Sequence, residues 1–358
     1  MRFIFKTDYA QDIALVQHGG QLFWYGLLMA LMLAAPLWTG DYGLSQLSFV
    51  LVYAIAGLGL MVLSGYTGLA SIGHAAFLGV GAYVETWFSA RGWPFPVSMT
   101  LAAALSAGVG VLVGLPALRV KGIYLAIATL SFGFIVEEAL ARWDSVTGGN
   151  AGVNVKPLQF FGSDLGSSED FYYVALLMCV LVTLAVMNLL RSATGRAFIA
   201  IRDSEISAQS MGIHLAGYKT LAFALSAAIV GIAGALYAHK LRFISPDQFG
   251  IQQSIDLLLM IVVGGLGSIH GAFLGAIFLI TMPQLIAVGK DYLPPAIGQA
   301  TGLQGVIYGA VLMGFVLFEP MGLYGRWLKL RTWLELFPFY RRGMFKRQKS
   351  YAKSERLK

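Results

Sequence analysis

Charge is what this sequence has least of. Only 12% of its 358 residues are Asp, Glu, Lys or Arg, about half the ~25% usual in soluble domains. With 57% hydrophobic residues and a mean hydropathy of +0.71, it is a poor candidate for a soluble fold. Cysteine is nearly absent too. Cys179 stands alone inside an apolar run, as a packing residue, and excludes a disulfide framework and a cysteine-based metal site. No G-x-x-x-x-G-K-[ST] phosphate loop occurs, so nucleotide hydrolysis is not this chain's own chemistry. The first 20 residues carry Asp8 and Asp12 and no long apolar core. They make a poor signal peptide and read as a short cytoplasmic or interfacial segment.

What the chain has is apolar runs broken by short polar text. Ten can be marked, at about 21–39, 44–63, 70–89, 97–118, 122–140, 171–190, 219–238, 254–267, 271–288 and 303–319. The pattern predicts an all-α polytopic integral membrane protein of about ten transmembrane helices. Many of the 43 Gly fall inside these runs, where they permit close helix approach and broken segments. Three regions follow: an N-terminal segment 1–20, a transmembrane domain 21–325 and a basic tail 326–358.

Lys and Arg set the orientation. With the N-terminus cytoplasmic, ten spans return the C-terminus to the cytoplasm. The inner segments then hold Arg2, Lys6, Arg119, Lys121, Arg191, Arg196, Arg202, Lys219 and the tail. The outer ones hold Arg91, Arg142, Lys156, Lys240, Arg242 and Lys290. A nine-span chain is the rival and puts the ends on opposite sides. The net charge of +7 is largely a tail property, since 11 Lys/Arg stand at or after Arg326. After a membrane helix, such a tail reads as an anchor near anionic lipid rather than a nucleic-acid binder.

The longest inner loop, about 191–218, includes "GRAFIAIRDSEISAQSMGIHLAGYK" (195–219). Within it, 203–212 reads as a short helix. Asp203 or Ser204 is its N-cap. Glu205 sits in the first turn, where the helix dipole favours negative charge. Gly212 suits the left-handed position that ends a helix. Ile206, Ala208 and Met211 form a small apolar set. A helix this short needs something to pack on. Spacing leaves two readings, a connector resting on the membrane surface and a docking element for a cytoplasmic partner.

"EISAQSMGI" (205–213) resembles the coupling loop of ABC-importer permeases. Further stretches resemble the permeases of branched-chain amino-acid ABC importers, specifically their M-type subunit. They include "LSGYTGLASIGHAAFLGVGAYV" (63–84), "TGGNAGV" (147–153), "ISPDQF" (244–249) and "LLLMIVVGGLGSIHGAFLGA" (257–276). The resemblance covers roughly 44–325, in order and spacing. Ser207 departs from it, where the family's loop commonly has a second alanine. The resemblance implies an inner-membrane transport subunit paired with a second, related permease. It also implies two cytoplasmic ATPase subunits, which use the ATP, and a periplasmic substrate-binding protein. The cargo implied is Leu, Ile and Val. Urea, short amides or aromatic acids are the alternative, because similar permeases carry them. No cofactor is expected on this chain.

Two Gly-interrupted segments are the pointers to a transport path. They are 64–83 and 264–276, with similar text in "SIGHAAFLGVG" and "SIHGAFLGAI". Ser71, His74, Ser268 and His270 fall in these breaks. Each His is either hydrogen-bonded structure or a path residue. Neither has a second metal ligand at helical spacing. "GGLGSIHG" (264–271) is a helix break, not a nucleotide site. Glu85 lies in an apolar run, where charge costs about 2.5–3.5 kcal/mol on insertion scales. It either pairs with a neighbouring helix or binds a substrate ammonium. A stand-alone ion-coupled transporter predicts dense intramembrane acid–base pairs and no docking loop. The few scattered acids and the 195–219 loop argue against it. A membrane enzyme needs an acid, base and nucleophile cluster that is not apparent.

Overall fold

The computed structural model describes residues 19–117, 120, 122–160, 163–164, 166–290, 302–319 and 321–336. Most of the segments 1–20 and 326–358 lies outside them. Each of the ten apolar runs falls on a helix. In chain order these are α1 Gly19–Ala34, α2 Asp41–Leu60, α3 His74–Ala90, α4 Phe95–Ala117, α5 Ile123–Arg142 and α6 Ser168–Arg191. The remaining four are α9 Leu215–Leu241, α10 Ile251–Gly264, α11 Ile269–Lys290 and α12 Leu303–Phe318. Between α6 and α9 lie α7 Ala193–Asp203 and α8 Glu205–Ser210, and α13 Gly322–Leu336 follows α12.

Six of these helices, α2, α4, α5, α6, α9 and α11, are long and apolar enough to cross a bilayer. The helices α1, α3, α10 and α12 have 16, 17, 14 and 16 residues, short of the ~20 of a full crossing. Caps set several starts. Ser167 accepts a hydrogen bond from the Asp170 N–H and so begins α6 before its apolar run. Ser192 does the same for α7 through the Gly195 N–H.

The core forms where α2, α3 and α9 meet. Nearly every residue from Val50 to Leu63 is buried. Glycine sets how closely α3 and α9 approach. A Cβ on Gly234 would stand 2.1 Å from the Leu78 carbonyl oxygen, and one on Gly81 would stand 2.3 Å from that of Gly231. Only backbones without side chains pack this closely. In contrast, α4, α5 and α6 present exposed Leu112, Ile135 and Leu177, which suits helices that border lipid or another membrane subunit.

The first break starts where α2 winds into a π-helical turn, Met61–Tyr66. The chain then runs without regular structure to α3. Buried backbone groups outside a helix need partners in lipid, and side chains supply them. Thr67 donates to the Val62 carbonyl (2.9 Å) and Ser64 to that of Leu69 (3.0 Å). Thr129 of α5 accepts from the Ile72 N–H (3.0 Å), and Ser254 of α10 accepts from that of Ala75 (3.1 Å). The second break joins α10 to α11 through Gly265 and Gly267, both at positive φ. Here Ser268 accepts from the Gly271 N–H (3.1 Å).

At the opposite end of α9, β1 Val153–Asn154 pairs antiparallel with β2 Phe243–Ile244. Arg242, left-handed at φ 64°, donates to the Gly166 carbonyl (2.9 Å).

Candidate functional site: the α7–α8 segment and the two breaks

Ser204 caps α8, its hydroxyl accepting from the Ser207 N–H. Asp203, the other candidate cap, is instead the last residue of α7. There its carboxylate takes two bonds from Arg202, to Nε at 3.2 Å and Nη2 at 3.1 Å. The helix is therefore Glu205–Ser210, shorter than 203–212. Gly212 lies two residues past it at φ +83°, with its N–H on the Gln209 carbonyl (3.0 Å).

The expected apolar set does not share one environment. Ala208 is 1% exposed and faces the protein, whereas Ile206 and Met211 are each 81% exposed. Ile206 lies nearly opposite Ala208 around the helix, and Met211 lies past the helix end as its C-cap residue. The helix is held from below by charge instead. Lys219, in the first turns of α9, reaches Glu205 at 2.7 Å. The lysine side chain is 4% exposed and the glutamate 23%. An exposed pair is worth about 0–1 kcal/mol, and breaking a fully buried one costs about 3–5 kcal/mol. This pair falls between, because the lysine is buried and the glutamate side chain is only partly exposed. The α7–α8 segment is therefore attached to α9 yet turns two large apolar side chains outward.

Arg202 links the same segment to both breaks. Its Nη1 donates to the Gly65 carbonyl (3.2 Å) in the first. Its side chain lies over Gly68, where a Cβ would come 2.9 Å from Arg202 Cγ. A Cβ on Gly267, in the second break, would lie 3.3 Å from Nη1. The breaks also touch each other, the Gly267 N–H pointing to the Met61 sulfur at 3.1 Å. Gly65 carries no side chain to block that approach: a Cβ there would stand 2.9 Å from the Gly267 nitrogen.

The path candidates occupy three places. Ser71 and His74 belong to one buried chain. Ser226 donates to the Gly59 carbonyl (2.7 Å), so its oxygen accepts from His74 Nε2–H (2.8 Å). His74 Nδ1 then accepts from Ser71 (2.8 Å). His74 is fully buried, and this network ties the first break to α9. Ser268 caps the start of α11, and His270 hydrogen-bonds Tyr25 of α1 (2.8 Å) while stacking on Tyr324 of α13 (5.4 Å between centroids).

Glu85 lies eleven residues beyond His74, about 16 Å along α3. It is fully buried and pairs with His239 of α9 at 3.0 Å, with Ser98 of α4 donating at 2.7 Å. The pairing partner that the sequence left unnamed is His239. His239 also meets the Lys156 carbonyl at 3.1 Å. It borders a cavity of about 180 Å³ shared with Lys240 and Arg242.

Arg202, Lys219 and His239 are not singled out as site residues by the sequence. The Gly65 partner of Arg202 and the Glu85 partner of His239 are distant in the chain, and Lys219 meets Glu205 only because α9 folds back beside α8, so only charge in an apolar chain marks them.

Comparison with known proteins is consistent with this architecture. Residues 43–316 match the family model described as the permease component of branched-chain amino acid transport systems. The high-affinity branched-chain amino acid transport permease protein LivM of Salmonella typhimurium is 32% identical over 83% of this chain and 74% of its own. LivM of Escherichia coli K12 is 32% identical over 83% and 73%. LivH of Escherichia coli K12, also a permease of that system, is 25% identical over 76% and 91%.

Proposed function

The chain belongs to the permease components of branched-chain amino acid transport systems, and from that membership we propose that it is the M-type membrane subunit of an ABC importer carrying Leu, Ile and Val. A second, LivH-like permease completes the pore. Two cytoplasmic ATPases hydrolyse ATP, and a periplasmic binding protein delivers and selects the cargo.

The observation that carries this reading is α8. It is pinned by Glu205–Lys219, offers Ile206 and Met211 outward, and is followed back by Arg202 to both breaks. A partner that grips α8 pulls on the segments least held by regular helix. The same end of the fold receives the N-terminal half of α1 and the start of α13, through Tyr25 and Tyr324 on His270. That convergence supports ten traversals with both ends on the cytoplasmic side. Here α3 and α10 are completed by the irregular breaks.

The test is uptake by the assembled complex in proteoliposomes with binding protein outside and ATP inside. ATP-dependent uptake of labelled leucine, competed by isoleucine and valine, is expected. Uptake of urea, acetamide or an aromatic acid instead would keep the mechanism and replace the cargo. ATP-independent uptake by this chain alone would reject the class.

A further inference from the structure

We propose that α13 is an interfacial helix that binds the anionic surface of the membrane at the α8 end of the protein. This region follows the family match, which ends at residue 316. The start of α13 is fixed to the fold. A Cβ on Gly322 would stand 2.6 Å from the Val263 carbonyl oxygen and 2.7 Å from the Gly265 nitrogen. Tyr324 lies parallel to His270, with 5° between the rings.

Beyond Gly325 the helix leaves the bundle, and residues 326–331 are all exposed. At 100° per residue, Leu323, Trp327, Leu330 and Leu334 fall in one narrow strip. Of these, Trp327, Leu330 and Leu334 are 52%, 49% and 57% exposed. Arg326 and Arg331 flank the strip on opposite sides by the same geometry. Fifteen residues with three cations cannot cross a bilayer. They suit a helix lying in its interface, with Trp and Leu inserted and Arg among the headgroups.

Charge decides the lipid class. Arg326 and Lys329 both engage Glu319 just before the helix, so the cations of α13 are partly neutralised. The 22 residues after Leu336 add eight Lys/Arg against one Glu. An apolar strip and an adjoining polybasic segment are the two signals that together hold a peripheral element on anionic lipid. The inference shares with the proposed function only the assignment of the α8 end to the cytoplasm, and its test needs no transport.

The test places a bimane label at Leu330→Cys in a Cys179→Ser background, in the complete transporter. The complex is reconstituted into vesicles of phosphatidylcholine alone or mixed with phosphatidylglycerol. In the mixed vesicles the label is expected to lose quenching by aqueous iodide and gain quenching by doxyl lipid. Raised salt should partly reverse this. Arg326→Gln with Arg331→Gln should weaken the phosphatidylglycerol dependence. Equal iodide quenching in both lipids would overturn the proposal. So would shielding that requires the ATPase subunits and ignores lipid composition, because α13 would then be a protein-docking helix. The salt titration on the unmutated helix keeps the test decisive if the double substitution misfolds.

Discussion

Lys219 Nζ stands 2.7 Å from Glu205 Oε1, joining the six-residue α8 to the base of α9. Glu205→Lys opposes two ammonium groups there. It is expected to leave the protein in the membrane and abolish ATP-driven uptake. Lys219→Glu should do the same by opposing two carboxylates. The double exchange restores opposite charge and should recover part of the uptake. Full activity in either single variant would show that the pair transmits nothing.

Ile206→Asp and Met211→Asp should cost little stability, because both side chains are already exposed. Each apolar side chain buried by a partner contributes about 1.5–3 kcal/mol. Loss of one should therefore weaken ATPase association by roughly one to two orders of magnitude. Co-purification of the ATPase with the permease measures it, and unchanged association would place the docking surface elsewhere.

Gly212→Pro is a different lesion. Proline fixes φ near −65° and lacks an N–H, whereas Gly212 sits at +83° and donates to Gln209. The turn after α8 cannot form, and uptake should be lost. Gly212→Asn tolerates the left-handed region and meets no atoms within 4 Å, so it should retain most activity. Equal uptake by the two variants would separate this turn from coupling.

The place of α8, its left-handed Gly212 and the ten apolar runs were legible in the sequence because caps, left-handed glycines and hydropathy are local properties, although the helix is two residues shorter at each end than 203–212. The division of Ile206 and Met211 from Ala208 was not. Neither was the choice of Ser204 over Asp203, since both residues cap helices well and the preceding helix claims Asp203. Arg202 was visible as a charge, but its reach to Gly65 depends on how α7 folds back under α2. The role of Glu85 waited on His239, 154 residues away.

That pair gives a stability prediction. The Lys156 carbonyl can only accept, so His239 Nδ1 carries a proton, and one further proton lies between Nε2 and Glu85. Glu85→Ala strands the imidazole in a buried site and should cost about 3–5 kcal/mol, the range for breaking a buried pair. Glu85→Gln can still donate to Nε2 and should cost less. Thermal unfolding of the detergent-purified protein compares them. Equal losses would mean that the pair is not held by this proton.

Sidedness is open to labelling. Single cysteines at Ser207 and Asn150, in a Cys179→Ser background, should react from opposite faces of the membrane, Ser207 from the cytoplasm and Asn150 from outside. Reaction of both from one face would reject the ten-traversal arrangement.

The most direct test of the central claim is a photo-crosslinker at Ile206 in membranes that contain the assembled transporter. If α8 is the point at which ATP hydrolysis is coupled to this subunit, illumination yields an adduct between this chain and the ATPase. Its yield should change between nucleotide-free and ATP-bound states. An adduct only to lipid, with no ATPase captured in either state, would contradict it.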